Sequence, residues 1–363
     1  MTSRVLILLI VVTLWAAASA RAADNISVGD VVVDPPTVCR LGFSVPITSG
    51  DDDYDATGII EFRQFGSTSW SLGLDLLRVR PEFTSTETTP GQYGLPVPAE
   101  QFAGSLFGLN PGTSYEVRIS ITDPDGGDRV QIVAATTREL PLTNPAVPRT
   151  VAVSTDAELS NAIGAALPGD VIELAAGTYD GPITIDASGT LSNPIIVRGE
   201  AADAVTIDAA GGTYGVTIWG SHVYLEDVTV SGSTWGARSY NTDGIVIQRS
   251  RFINVERGIY AKSGSNYNFY ICDNVLEGQH TWPNISSSTW NDEGITVSGQ
   301  GHTICHNTLS GLGDALGLAH DAPIRSLGSD LVGNDVGWRG DEGREREWAP
   351  RTVRACGMRF SGA

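Results

Sequence analysis

Along residues 156–199 the apolar positions change from helical to strand-like spacing. Leu159, Ile163 and Ala166 fall at i, i+4 and i+7, one apolar face of a helix. Thr155 and Glu158 stand ahead of them as a T-x-x-E capping box, and Pro168-Gly169-Asp170 supplies a stop. Short apolar runs follow at 171–174, 183–185, 195–197 and 205–207, punctuated by Gly, Asn or Pro and joined by no Asn-Gly hairpin signal. An amphipathic helix followed by evenly spaced short strands predicts a solenoid whose first coil is covered by that helix.

From residue 215 the chain repeats. Each coil opens on a small residue, namely Gly215, Gly236, Gly258, Gly294, Ala315 and Gly343. The best-matched pair is YICDNVLEG at 270–278 and TICHNTLSG at 303–311, which stacks Cys272 on Cys305 and Asn274 on Asn307, with Asn334 one coil further. Stacked asparagines can pair amide to amide, so a buried structural ladder is expected there. The two cysteines are expected as buried thiols, because stacked side chains run parallel. Period-2 alternation turns Val216, Ile218, Ile259, Ala261, Ile295, Val297, Leu316 and Leu318 inward. It turns Thr217, Trp219, Arg238, Tyr240, Tyr260, Lys262, Thr296 and Ser298 outward. Three aromatic rings with an arginine and a lysine on one face suit a sugar polymer. Rings stack on pyranose faces, and uronate carboxylates need Arg or Lys partners.

Acidic residues precede the same strands: Asp243, Asp292, Glu293, Asp314 and Asp341. Carboxylates stacked a coil apart repel, so this column predicts either a cation such as Ca²⁺, held by Asp292, Glu293, Asp314 and Asp341, or an outward splay into water. The break between strands at 279–292 carries Trp282 and Trp290, placed to wall the same face as further substrate-binding residues. In the last coil Arg344 and Arg346 take positions that should face the core, and no capping pattern follows. That predicts a weak, truncated end to the solenoid.

Ahead of the solenoid, residues 25–140 alternate as half-buried antiparallel strands. Tyr115, Val117, Ile119 and Ile121 oppose Glu116, Arg118 and Ser120, and Ile60 and Phe62 oppose Glu61 and Arg63. Residues 109–115, LNPGTSY, resemble the L-x-P-G-T-x-Y corner of fibronectin type III domains, which implies a buried Tyr115 tying a sandwich corner to nearby backbone. The run 122–128 then fits a hairpin turn, and 141–150 a proline-broken linker. Asp51, Asp52, Asp53 and Asp55 lack the order of a known calcium loop and are expected as a solvated loop.

Residues 1–22 have the charged start, apolar run and small-residue cleavage site of a signal peptide, so an exported, extracellular chain without a remaining membrane span is expected. A net charge of −19 argues against nucleic acid as partner and leaves room for a locally basic groove. Four cysteines are too few for a disulfide scaffold. A monomer is expected.

The run from Ala166 to Tyr179, A-L-P-G-D-V-I-E-L-A-A-G-T-Y, with Gly189-Thr190 and Asn193-Pro194-Ile195 after it, resembles the pectate-lyase-like superfamily of secreted right-handed parallel β-helix proteins. Its closest likeness is to the alginate-lyase and chondroitinase-B type. The resemblance implies an all-β chain: a right-handed parallel β-helix with an N-terminal capping helix over 151–363, preceded by a fibronectin type III-like β-sandwich. Lys262-Ser263-Gly264-Ser265-Asn266 is similar to that group's K-S-G-x-N element, which implies Lys262 as the base of a polysaccharide lyase. The group's R-H-G motif is missing at 294–299, where the chain reads GITVSG, and Arg238 is the substitute nearest at hand. Two functions are therefore expected: a lyase for an acidic polysaccharide, or a non-catalytic glycan-binding or adhesive surface protein.

Overall fold

The computed structural model describes residues 24–81, 99–279, 292–318, 327–337 and 353–361. The signal segment, Trp282, Trp290, Asp341, Gly343, Arg344 and Arg346 lie outside the described residues.

The alternation in the N-terminal part builds two antiparallel sheets. One orders Ser27–Val28, Leu41–Ser49, Gln101–Leu106 and Leu77–Val79; the other orders Ser71–Leu72, Thr57–Gln64, Ser114–Thr122 and Arg129–Thr136. Leu41, Phe43, Ile60, Phe102, Val117 and Ile119 fill the space between them. The Tyr115 ring is buried, and its hydroxyl accepts the N–H of Asn110 at 2.9 Å, so the corner is tied by a bond of its own making.

From Arg149 onward the strands pair in parallel in a β-solenoid of about 7 turns. One long sheet takes a strand from every coil in chain order, from Arg149–Val153 to Val353–Cys356. A second carries longer, bent strands such as Val205–Ile218 and Thr229–Ser239. The helix Asp156–Gly164 starts on a complete capping box, with Thr155 and Glu158 each satisfying the other's backbone, and buries Leu159 and Ile163. Those two side chains join Val153, Ile172, Leu174 and Ile183 in the solenoid core. The helix ends at Gly164, ahead of the predicted Pro168 stop.

The small leading residues have a steric cause. A Cβ on Gly258 would stand 2.2 Å from Leu276 Cδ2 and 2.6 Å from the Gly294 carbonyl oxygen, so the chain bends inward there only without a side chain. The asparagine ladder forms along the core: Asn274 Nδ2 donates to Asn307 Oδ1 and Asn307 Nδ2 to Asn334 Oδ1, both at 2.9 Å.

One expectation is corrected. Cys272 and Cys305 are joined in a disulfide, not held as separate thiols. They are in-register neighbours whose Cα atoms stand 4.5 Å apart, inside the range a disulfide spans, so side-chain rotation overcomes the parallel start. Near the chain's end, among the described residues, two arginines are paired with aspartates. Arg354 donates to Asp330 Oδ1 at 2.5 Å, and Arg359 stands 3.8 Å from Asp335.

The sandwich is fastened to the outer side of the long sheet. Arg138 donates to the Gly301 carbonyl at 2.7 Å and to Asn268 Oδ1 at 3.1 Å, while Thr37 and Arg40 reach Asp330. Burial lowers the Arg138 guanidinium to about 10, so it stays charged at neutral pH.

Inside the solenoid His302 is fully buried, accepting from the Phe269 N–H at 3.2 Å and facing the Ser298 carbonyl at 3.1 Å. Burial lowers it to about 3. The unfolded chain takes up that proton near pH 6.5, so between these values the unfolded state binds more protons than the folded one. The contribution is complete above pH 6.5 and falls as pH drops, by about 1 kcal/mol per unit. Urea unfolding should therefore show a steeper loss of stability from pH 7 to 5 in the natural protein than in His302→Gln. Equal slopes would contradict the assignment.

Candidate functional site

Strand register sets the outer face of the second sheet. Tyr214, Trp235, Arg257, Glu293 and Asp314 stack in one column, each immediately before its coil's small residue. Thr217, Arg238, Tyr260, Thr296 and Gly317 stack in the next. Rings and cations interleave across the two. Trp235 lies 5.5 Å from Tyr214 and 4.5 Å from Tyr260, and Trp219 lies 6.4 Å from Tyr240. The Arg238 guanidinium sits 4.2 Å from the Tyr214 ring centre, 4.9 Å from Trp219 and 5.9 Å from Trp235. Arg257 sits 4.7 Å from Trp235 and 4.9 Å from Tyr260. Such contacts contribute roughly 0.5–2 kcal/mol each, enough to fix an arginine's plane while its N–H fork keeps its donors.

The expected site residues are partly gathered. Trp219, Arg238, Tyr240 and Tyr260 share this face, Trp219 and Tyr240 being its exposed rings. Lys262 follows Tyr260 along the strand and turns to the next coil, its Nζ 3.7 Å from Glu293 Oε1. The expected outward pair Thr296 and Ser298 is covered instead. Both are buried, and the Ser298 hydroxyl donates back to the Ala261 carbonyl at 3.1 Å. Among the described residues, the aromatic and basic part of the face runs over residues 214–262.

Tyr214, Trp235 and Arg257 belong to this face and escape the alternation rule, because the strand bends at each leading glycine and period 2 restarts there. The signal that finds them is positional: the residue preceding each small one.

The acidic column is divided. Asp243 pairs through its backbone with Tyr267 at the entry to the long sheet, and Asn268 Nδ2 donates to its carboxylate at 2.8 Å, so it stands apart from Glu293 and Asp314. Glu293 is buried, and its Oε2 has no hydrogen-bond donor among the described residues. Of the expected calcium ligands, Asp292, Glu293 and Asp314 lie among the described residues and Asp341 lies outside them. Lys262 already brings an ammonium to Glu293, Arg257 stands in register beside it, and these three acids do not form a set of converging ligand atoms among the described residues. Asp51, Asp53 and Asp55 do converge within 4.8 Å, but the Arg78 guanidinium contacts Asp51 there.

No family model and no curated protein matches the chain. Solved structures do, among them an alginate lyase from Paenibacillus sp. str. FPU-7, at 17% identity over 59% of this chain and 98% of that one, with a TM-score of 0.36. The catalytic domain of a GH87 α-1,3-glucanase matches at 14% identity over 91% of this chain and 66% of that one, TM-score 0.36. The PL6 family alginate lyase AlyGC matches at 13% identity over 58% and 40%, TM-score 0.28. These neighbours are polysaccharide lyases and glycoside hydrolases, and at such distances none assigns a role to a residue of this chain.

What the face can do chemically follows from its charges. Arg238 is in contact with rings and with no carboxylate among the described residues, in a chain of net charge −19. Its N–H fork is therefore available to an outside anion, beside exposed rings that accept an apolar sugar face.

Proposed function

We propose that the chain is an exported protein acting on an acidic, uronate-bearing polysaccharide through the face of residues 214–262. The observation that supports this best is Arg238, wedged among Tyr214, Trp219 and Trp235 without an acidic partner among the described residues. Trp219, Tyr240 and Tyr260 stack on sugar rings, and Arg238 takes the uronate carboxylate in a two-pronged hydrogen bond.

The reaction we infer is β-elimination. Arg238 draws charge into the carboxylate and makes the neighbouring C5–H acidic; Lys262, as free amine, removes that proton. The electron pair forms a C4–C5 double bond as the C4–O bond breaks, and the departing oxygen takes up a proton from the lysine or from water. In the resting state Lys262 is an ammonium beside Glu293, and it gives up that proton to water before acting as the base. No step passes through calcium.

Non-catalytic glycan binding is the second reading, favoured by the same Lys262–Glu293 contact, which engages the amine. Incubation with alginate, pectate and chondroitin sulfate, followed by the ultraviolet absorbance of an unsaturated uronate, separates the two. Growth of absorbance on one of them supports elimination, and its loss in Lys262→Ala with unchanged circular dichroism assigns the base. Binding without absorbance leaves the scaffold reading. Neither binding nor absorbance contradicts both.

A further inference from the structure

Two cysteines remain outside the buried disulfide, and they come from opposite parts of the chain. Cys39 is half-buried in the sandwich and Cys356 is exposed on the last described strand of the long sheet. The turn holding Cys39 is pinned at both ends: Thr37 N–H and Oγ1 donate to the Arg40 carbonyl, and the Thr37 carbonyl accepts from Arg138 N–H at 2.9 Å. Leu109 N–H fixes the Cys39 carbonyl at 3.0 Å.

This turn presses on one spot of the solenoid. Thr37 Oγ1 and the Arg40 guanidinium both contact Asp330, which Arg354 also binds at 2.5 Å. Asp330 pairs in register with Arg354, and two residues along the same strands Val332 pairs with Cys356. Residues two apart on a strand share a face, so Cys356 lies on the side of the sheet where the Cys39 turn is docked. The Cys39 thiol accordingly senses the charges of Arg40, Asp330, Arg354 and Cys356.

We propose that Cys39 and Cys356 form a second disulfide, which ties the sandwich to the last described coil. It forms by exchange with an external low-molecular-weight disulfide. The exposed Cys356 thiolate attacks that disulfide and releases one thiolate. The Cys39 thiolate then attacks the Cys356 sulfur of the mixed disulfide and releases the second. The two protons of the protein thiols end on the two released thiols, so the protein loses two electrons and the reagent gains them. Burial raises the Cys39 thiol, consistent with Cys356 reacting first. With an exposed sulfur at one end this bond is open to reductant, whereas Cys272 and Cys305 are buried. It therefore acts as the reducible clamp of the pair. The proposal is independent of any glycan activity.

The test uses the full chain, reduced with dithiothreitol, reoxidised with glutathione disulfide, and mapped by non-reducing peptide mass spectrometry. A linked Cys39–Cys356 peptide pair is expected within one molecule, opening at a lower dithiothreitol concentration than Cys272–Cys305. The Cys356→Ser variant is expected to lower the melting temperature of the oxidised protein and to leave that of the reduced protein unchanged. Recovery of Cys39 and Cys356 as alkylated free thiols while Cys272–Cys305 is intact, or linkage only between molecules, would overturn the clamp.

Discussion

Replacing Arg238 with alanine is expected to weaken binding of a uronate polysaccharide ten- to a hundredfold, on the order of 1.5–3 kcal/mol, the contribution of a charge-assisted pair. The guanidinium faces rings and no described carboxylate, so its removal strands no buried charge, and the melting temperature should fall only by the loss of its ring contacts. Arg238→Lys should recover only part of the affinity, because an ammonium keeps the charge and loses the planar fork and its stacking. Affinity electrophoresis through gels containing alginate, pectate or a neutral glucan reads the effect directly. Retardation by the acidic polymers should fall in the variants, while mobility in the neutral gel stays as it is. Unchanged retardation in Arg238→Ala would remove this residue from the site.

The largest effect on stability is expected from Asn307→Ala. The Asn307 side chain donates to Ile271 O at 2.8 Å and Asn334 Oδ1 at 2.9 Å, and accepts from Asn274 N–H at 3.0 Å and Nδ2 at 2.9 Å. Alanine leaves those partners in a core that water does not enter, at about 1–3 kcal/mol for each group left unsatisfied. With partial relaxation a loss of about 3–5 kcal/mol is expected. Urea unfolding followed by circular dichroism measures it, and a loss under about 1 kcal/mol would mean that the ladder is not a structural element of the core.

Most of the fold is legible locally. The capping box at Thr155 and Glu158, the inward pairs such as Ile259 and Ala261, and the repeat that stacks Asn274 on Asn307 are all short-range patterns, and the chain adopts them. What stays hidden depends on distant neighbours. No local pattern announces that Arg138 lands on Gly301, or that Ser298 is covered although its strand position points outward. The Cys272–Cys305 bond depends on how two in-register side chains rotate, which spacing does not encode. At the candidate face the sequence exposes Arg238, Tyr240 and Tyr260 by alternation. It conceals Tyr214, Trp235 and Arg257 because the bend at each glycine resets the alternation.

We propose that an acidic glycan lies on the face of residues 214–262. Hydrogen exchange of the full chain with and without a uronate oligosaccharide tests it most directly, read by mass spectrometry across the whole solenoid. Slowed exchange is expected in Val205–Ile218, Thr229–Ser239 and Arg257–Ala261, with no change in the sandwich strand Arg129–Thr136 and no protection by a neutral oligosaccharide of equal length. Protection confined to other coils, or equal protection by the neutral sugar, would contradict it.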